Sequence, residues 1–262
     1  MIKNNILITG GAGFLSKAII KNLKDLNNSL ILVDINYDEL KNIKSLYKNF
    51  YESIFIYKCD LSNISHTKKL FQKISSKHKI NILINNAAYK SPKKENFYKS
   101  FEEYDFKTYK EIMSVNIDAP FVVSQIIGHK MIQNKIKGSI INISSIYGVI
   151  SPDPKIYKGS FYKGMEISSP AVYTVSKAAL HGLSIYLAAY WGKHNIRVNT
   201  VSPGGILDGH NATFKKNYSN KVPMERMANI DDIPGIICFL ISPESSYITG
   251  QNFLIDGGMS II

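Results

Sequence analysis

The chain has two cysteines, Cys59 and Cys238, two arginines, Arg197 and Arg226, and one tryptophan among 262 residues. Two distant thiols build neither a disulfide framework nor a metal site, so a reducing, cytoplasmic setting is expected. The six histidines, His66, His78, His129, His181, His194 and His210, lack ligand spacing, so no metal is expected. No apolar run approaches the length of a bilayer span, and the start MIKNNILITGG passes directly into a short apolar strand without a signal-peptide core, so no membrane role is expected. The scarcity of arginine also decides how the charge is read. A formal net charge of +12 invites nucleic acid, yet all but two of the 32 basic residues are lysines, whereas readers of base edges rely on bidentate arginine. The joint abundance of Lys, Asn and Ile reads as compositional drift, and no nucleic-acid partner is expected. With 20% charged and 45% hydrophobic residues, 17 glycines and 9 prolines, the composition excludes a disordered or fibrous chain. Residues 1–262 are expected to form a single domain.

Short β-branched runs alternate with longer segments of helical period, the pattern of βαβ units. Strands are predicted near Ile6–Thr9, Leu30–Asp34, Ile54–Lys58, Ile80–Asn85, Ser139–Ser144, Ile196–Val201 and Phe253–Asp256. Helices are predicted over Phe14–Leu26, Tyr37–Lys48, Ser65–Lys77, Tyr104–Asn134, Pro170–Lys193 and Asp231–Ile241. The strands are continuously apolar, as required when helices cover both faces of a parallel sheet. The expected fold is therefore α/β: a doubly wound Rossmann fold with a seven-stranded parallel sheet, helices on both faces and lengthened substrate loops. Three stretches, Tyr89–Phe101, Val149–Ser169 and Leu207–Val222, read as long, irregular, Lys- and Tyr-rich loops. All follow strands, so they gather at the carboxyl edge of the sheet, where ligands bind in such folds.

The first predicted strand ends in Thr9-Gly10-Gly11-Ala12-Gly13-Phe14-Leu15-Ser16 and leads into a helix. Glycines there let the backbone approach a pyrophosphate, which then lies against the helix N-terminus. Asp34 closes the second strand, 21 residues after Gly13, at the offset where a carboxylate binds the adenosine ribose and repels a 2′-phosphate. Neither Ile35 nor Asn36 supplies a compensating cation, so NAD is expected over NADP. Tyr173 and Lys177 are spaced i, i+4 on a helix for which Ser169 is a plausible N-cap and Pro170 the first residue. An ammonium beside a phenol lowers its pKa toward the range of a working acid/base.

The whole chain resembles the short-chain dehydrogenase/reductases, in their single-domain branch. The motifs run in order: the glycine turn, Cys59-Asp60-Leu61, Asn85-Asn86-Ala87-Ala88, Val115-Asn116, Ile141-Asn142-Ile143-Ser144-Ser145 with Gly148, Tyr173-x-x-x-Lys177, Asn199-x-Val201-x-Pro203-Gly204, Thr249-Gly250-Gln251 and Asp256-Gly257-Gly258. The resemblance implies an NAD(P)-dependent oxidoreductase with a catalytic tetrad of Asn116, Ser145, Tyr173 and Lys177. Tyr173 would exchange the proton and Ser145 would orient the substrate oxygen. Lys177 would bind the nicotinamide ribose while depressing the Tyr173 pKa, and Asn116 would hold a water linking Lys177 to solvent. Ser145 is preferred over Ser144 because the family places its serine three residues before the glycine, here Gly148. The resemblance also implies cofactor contacts from Gly10, Gly13, Phe14, Leu15, Asp34, Asp60, Leu61, Asn86, Ala87, Ala88, Tyr173, Lys177, Pro203, Gly204 and Ile206.

Departures from the family pattern carry information. Phe14 and Ser16 stand where the single-domain branch has glycines, Ala88 replaces another, and Asp208 stands near a threonine that contacts the carboxamide, leaving that contact unassigned. Ser145 and Tyr173 are 28 residues apart, roughly double the family's usual gap, and the interval from Asn86 to Asn116 is also long. These insertions bring Tyr89, Lys90, Lys93, Lys94, Tyr98, Tyr157, Lys158, Tyr162 and Lys163 toward one cleft, suited to stacking on rings and pairing with phosphate or carboxylate. Lys90, Tyr157 and Tyr162 are the substrate candidates. The segment SIYGVISPDPKIY, with SPGGILD, is similar to oxidoreductases of flagellin-modification and surface-polysaccharide biosynthesis. The implied activity is interconversion of a secondary alcohol and a ketone on an anionic sugar, amino-sugar or nucleotide-sugar. The alternatives are a generalist 3-oxoacyl or polyol reductase and a non-catalytic nucleotide-binding relative. Apolar surplus on the two long helices (Ile126, Ile127, Leu180, Leu183, Leu187, Trp191), with the family's habit, implies a homotetramer or homodimer. The exact substrate, the direction of reaction and the pathway stay open.

Overall fold

Seven short apolar runs lie side by side; the five central ones are almost wholly buried, while the edge runs Ser53–Lys58 and Asn252–Ile255 are only partly covered. The structure, a computed structural model, describes residues 4–24, 28–91, 93–162 and 165–262. The strands of the main sheet are β1 (Asn5–Thr9), β2 (Ser29–Asp34), β3 (Ser53–Lys58), β4 (Ile82–Asn85), β5 (Gly138–Ile143), β8 (Ile196–Pro203) and β9 (Asn252–Ile255). Their order is β3-β2-β1-β4-β5-β8-β9, with every pair parallel. The order reverses between β1 and β4, which opens a crevice outside their carboxyl ends. Successive side chains of β1 serve opposite cores. Ile6 and Ile8 pack with α1 (Phe14–Leu23), α2 (Tyr37–Tyr47) and α9 (Pro234–Ile241). Leu7 packs on the side of α3 (Ile64–Lys77), α6 (Ala119–Gln133) and α7 (Ala171–Trp191).

A buried polar row sets the strand register near the carboxyl edge. Asn85 is level with Asn142, and Asn142 with Thr200. Asn85 Nδ2 donates to Asn142 Oδ1 at 2.8 Å, while Asn142 Nδ2 and Thr200 Oγ1 both donate to Ser184 Oγ of α7 at 2.8 Å. A one-residue slip of any of these strands would turn its polar side chain to the opposite face and leave its partners unpaired in the core.

The expected single helix from Tyr104 to Asn134 is divided. α5 (Phe106–Met113) begins after Asp105, whose side chain accepts from the Thr108 N–H at 2.8 Å. It runs into a π-helical turn, Ser114–Asp118, before α6. Pro120 is the physical reason: it has no N–H to donate to the Asn116 carbonyl, and its ring crowds that carbonyl in an α-helix. α7 starts one residue later than expected, with Pro170 rather than Ser169 at the N-cap and no side-chain cap. The helix expected over Asp231–Ile241 starts only at Pro234, after a 3-10 turn at Ile230–Asp232. Leu26, expected in α1, lies outside the described residues.

The three expected irregular loops contain short elements. These are α4 (Lys94–Phe97), a 3-10 turn at Pro154–Ile156, a hairpin of β6 (Phe161–Tyr162) with β7 (Met165–Glu166), and α8 (Ala212–Ser219). The apolar residues expected as surplus are also placed differently. Ile127, Leu180, Leu187 and Trp191 are buried, and Ile126 and Leu183 pack against the same core. The apolar residues exposed on α6 and α7 are instead Phe121, Val175, Ile185, Tyr186 and Tyr190.

Trp191 closes the α6–α7 seam against Gly128, where an added Cβ would come within 2.2 Å of the indole. Gly128→Ala is therefore expected to cost about 1–3 kcal/mol by overpacking. Calorimetry should show a fall in Tm of roughly 2–10 °C, with altered emission from the lone tryptophan. An unchanged Tm would contradict this packing.

Candidate active site

At the crevice, the glycine turn and the segment after β4 are tied edge to edge. Thr9 Oγ1 accepts from the N–H groups of Asn86 and Ala87 at 3.2 and 3.3 Å. Gly10 has φ +65°, and a Cβ there would stand 2.8 Å from the Ala87 Cα, so both conformation and space call for glycine. Ser16, one of the departures from the family pattern, is fully buried. Its Oγ donates to the Gly10 carbonyl at 2.8 Å and accepts from Asn86 Nδ2 at 2.8 Å. The hydroxyl thus ties the turn to β4, a role beyond that of a small packing residue. Gly13 caps α1 without a side chain, leaving first-turn N–H groups open to an anion.

Asp34 braces the same turn. Its Oδ2 accepts from the Ala12 N–H at 3.0 Å and its Oδ1 from the Asn36 N–H at 2.8 Å. The carboxylate is therefore oriented, more than a solvated strand end would be. Asp60 Oδ1 accepts from the Ser62 N–H and hydroxyl at 2.9 and 2.7 Å.

At the other end of the crevice, β5 and α7 approach so closely that a Cβ on Gly148 would lie 2.7 Å from the Lys177 carbonyl carbon. The two adjacent serines have separate tasks. Ser144 Oγ donates to the Lys177 carbonyl at 2.7 Å and anchors α7. Ser145 and Tyr173 both line the cleft, close enough for the serine hydroxyl to act on the phenol, and Ser145 Oγ accepts from the Tyr147 N–H at 3.2 Å. Lys177 is buried, with Nζ donating to the Ile143 carbonyl at 2.9 Å and lying 5.8 Å from the Tyr173 ring centroid. Burial, with the nearby Lys90 charge, lowers its pKa to about 8. The Tyr173 pKa is raised by burial, with the Ser145 hydroxyl acting against it. This corrects the expectation that Lys177 depresses the phenol: the ammonium is engaged by the Ile143 carbonyl, and desolvation of the phenol dominates.

Asn116 is fully buried in the π-helical turn. Its Oδ1 accepts from the Tyr89 N–H at 2.8 Å, and its Nδ2 donates to Ser176 Oγ at 3.2 Å. It fastens the segment after β4 to the helix that carries Tyr173 and Lys177.

A cleft of about 1310 Å³ joins these parts and exceeds what one small ligand fills. It is lined by Ser145 and by every residue expected to contact a cofactor, from Gly10 to Ile206. Asn116 stands behind its wall. Lys90 and Tyr157 line the cleft, whereas the side chains of Tyr162 and Lys94, and all of Lys163, lie outside the described residues. The lysines do not converge as expected: of the described loop lysines only Lys90 lines the cleft, and Lys93 and Lys158 are exposed elsewhere.

The substrate end is walled mainly by rings. Tyr157 donates its hydroxyl to that of Tyr147 at 3.1 Å and packs on Phe214 at 5.5 Å between centroids. Phe214 stacks on His210 at 4.7 Å and meets Tyr218 at 5.9 Å. Tyr147, His210, Phe214 and Tyr218 were missed by the sequence reading. Tyr147 lies inside the motif that supplies Ser145 and Gly148, which was its available signal. His210 was set aside among scattered histidines although it lies in a stretch expected at the cleft. The insertion after β5 also braces the α8 segment: Lys221 pairs with Asp153 at 2.9 Å, and Asn217 Nδ2 donates to the Ile156 and Lys158 carbonyls at 3.3 and 3.0 Å.

A family model described as enoyl-(acyl carrier protein) reductase matches residues 13–260. The chain belongs to the short-chain dehydrogenase/reductases, oxidoreductases that interconvert alcohols and carbonyl compounds. It is 33% identical to a ribulose-forming D-arabinitol 2-dehydrogenase of Candida tropicalis, over 97% of this chain and 91% of that protein. It is 30% identical to post-translational flagellin modification protein A of Campylobacter coli, over the full length of both. The structure of a short chain dehydrogenase from Leptospira borgpetersenii serovar Hardjo-bovis with bound NAD+ matches with a TM-score of 0.82 and 31% identity, covering 98% of this chain and 93% of that one.

Replacing Asn116 by alanine leaves the Tyr89 N–H without its side-chain acceptor, an expected cost of about 1–3 kcal/mol. Urea unfolding should show the loss, and Asn116→Ser should recover less of it than Asn116→Asp. Wild-type stability in Asn116→Ala would refute this fastening role.

Proposed function

We propose that this protein is an NAD-dependent oxidoreductase that interconverts a secondary alcohol and a ketone, with Tyr173 as acid/base, on a sugar, amino-sugar or nucleotide-sugar of surface-glycan or flagellin-modification biosynthesis. The observation that carries the reading is that Ser145, Tyr173 and the buried Lys177 line one cleft, with Lys177 Nζ 5.8 Å from the Tyr173 ring centroid, and that this cleft continues to the glycine cradle. The cradle fits a dinucleotide, because Gly13 leaves the first-turn N–H groups of α1 without a side-chain cap on a cleft that runs on to Asp34. When bound, the nicotinamide supplies or accepts the hydride. In alcohol oxidation Tyr173 Oη takes the hydroxyl proton as the carbon–oxygen double bond forms, and in reduction it returns that proton to oxygen. Ser145 Oγ orients the oxygen, and Lys177 holds the ribose hydroxyls. Asn116, whose carbonyl receives no N–H from Pro120, holds the water that links Lys177 to solvent.

Asp34 supports NAD over NADP, and no lysine or arginine lines the adenosine end of the cleft among the described residues. The ring-lined walls and the likeness to D-arabinitol 2-dehydrogenase favour a second reading, a reductase of neutral polyols. The exposed Phe121, Val175, Ile185, Tyr186 and Tyr190 support a homotetramer or homodimer through α6 and α7. A cytoplasmic location is part of the same reading. No helix among the described residues is long and apolar enough to cross a membrane.

The direct test is hydride transfer to NAD with a panel of polyols, sugar acids, sugar phosphates and nucleotide-sugars. Tyr173→Phe should lower kcat at least about a hundredfold while NAD still binds. Protein that binds NAD but transfers no hydride with any of them would defeat the proposal. NAD should be preferred over NADP at least about tenfold in kcat/KM, a preference that Asp34→Ala narrows.

Tyr173 and Lys177 share the reacting centre, and as pH rises the pair loses its first proton from Lys177, whose pKa burial brings to about 8, while burial raises that of Tyr173. Oxidation needs the deprotonated pair, so kcat/KM for the alcohol should rise as pH increases through about 8. The limb should disappear in Lys177→Met, measured at saturating cofactor.

A further inference from the structure

The reacting centre lies on the segment leaving β5, and the strands on either side of β5 are β4 and β8. The segment leaving β4 carries Lys90, and the one leaving β8 carries His210. Both side chains line the cleft, and Lys90 Nζ stands 6.0 Å from the Tyr173 ring centroid. The two banks are close enough for the Lys90 charge to bear on the His210 imidazole.

His210 is held as a directed donor. Its Nδ1 accepts from the Asp208 N–H at 3.2 Å, which leaves the proton of the neutral ring on Nε2. Stacking on Phe214, with 16° between the planes, fixes the ring against the start of α8. Burial pushes its pKa below the ordinary value, with the Lys90 and Lys215 charges acting in the same direction and Asp208 opposing. Lys90 follows Tyr89, whose N–H is fastened by the buried Asn116. Charged groups line both ends of the cleft. Asp34 and Asp60 lie at the adenosine end, while the lysines lining the cleft, Lys90 and Lys177, are at the reacting end. Glu111 and Asp208 flank the latter.

We propose that Lys90 and His210 form a specificity-determining subsite for an oxyanion of the substrate, a carboxylate or phosphate, beside the carbon that reacts at Tyr173. This deepens the proposed function, on which it rests. A charge-assisted hydrogen bond from Lys90 and a fixed Nε2–H from His210 reward an anion more than a hydroxyl. The rings beyond them accommodate the carbon skeleton. A neutral polyol could occupy the same cleft without engaging the Lys90 charge.

The test uses the intact enzyme and three probes, gluconate, ribose 5-phosphate and D-arabinitol, with NADH as the bound cofactor for titrations and NAD as the oxidant for rates. Calorimetric titration reads binding, and initial rates read kcat/KM wherever turnover occurs. At least one anionic probe should bind about tenfold or more tighter than D-arabinitol. Comparison of gluconate with ribose 5-phosphate separates carboxylate from phosphate. Lys90→Met and His210→Phe should each reduce the anion-to-polyol affinity ratio at least about fivefold, while the Tm and NADH affinity report that the fold and cradle persist. Equal binding of anions and polyol, no anion binding, or an unchanged ratio in Lys90→Met overturns the subsite. Anion binding that responds to Lys90→Met, with no hydride transfer to NAD from any polyol, sugar acid, sugar phosphate or nucleotide-sugar of the panel, sustains the subsite and instead defeats the proposed oxidoreductase activity.

Discussion

The close approach of α7 to the end of β5 is the constraint on which the reacting centre depends. Gly148 permits it, Ser144 anchors it through the Lys177 carbonyl, and Lys177 turns its ammonium to the Ile143 carbonyl. Burying that ammonium disfavours its charge, and the Lys90 charge acts in the same direction, which together lower its pKa. The same packing leaves Ser145, one residue beyond the anchor, on the cleft lining with Tyr173. A longer side chain at Gly148 would separate the two elements and disperse the cluster.

Around this contact the molecule uses short polar ties where a parallel sheet would otherwise end in loose loops. Thr9 and Ser16 fasten the glycine turn to the segment after β4, and Asn116 fastens that segment to α7. The Asn85–Asn142–Ser184–Thr200 row holds the intervening strands in register. Such buried groups stabilise only when each finds a partner, so they specify one arrangement of the edge more than they add to stability. Beyond the ties, the insertion after β5 braces the α8 segment and turns two long loops into one wall.

Much of this was legible in the sequence. The strand runs, their parallel character and the positions of Asp34, Ser145, Tyr173 and Lys177 follow from apolar patterning and motif spacing, because these are local properties of the chain. The choice of Ser145 over Ser144 came from the family resemblance, in which the serine stands three residues before the glycine, here Gly148. The division of the long helix was also written locally, in Pro120, although apolar periodicity concealed it. Other features were not legible because they depend on where distant segments meet. The lysines of the insertions appeared convergent in sequence, yet only Lys90 reaches the cleft among those described. Rings from Tyr147, Tyr157, His210, Phe214 and Tyr218 form the wall instead, drawn from three separate stretches.

By itself the sequence determined the doubly wound sheet, the glycine turn and the i, i+4 Tyr–Lys pair, since hydrophobic period, glycine and helical spacing act over a few residues. Only the tertiary structure decided the direction of the Tyr173 pKa, the fastening roles of Ser16 and Asn116, and the placing of Lys90 and His210 on the lining of one cleft. Those properties depend on burial and on contacts between residues far apart in the chain, and neither exists until the sheet has closed its edge.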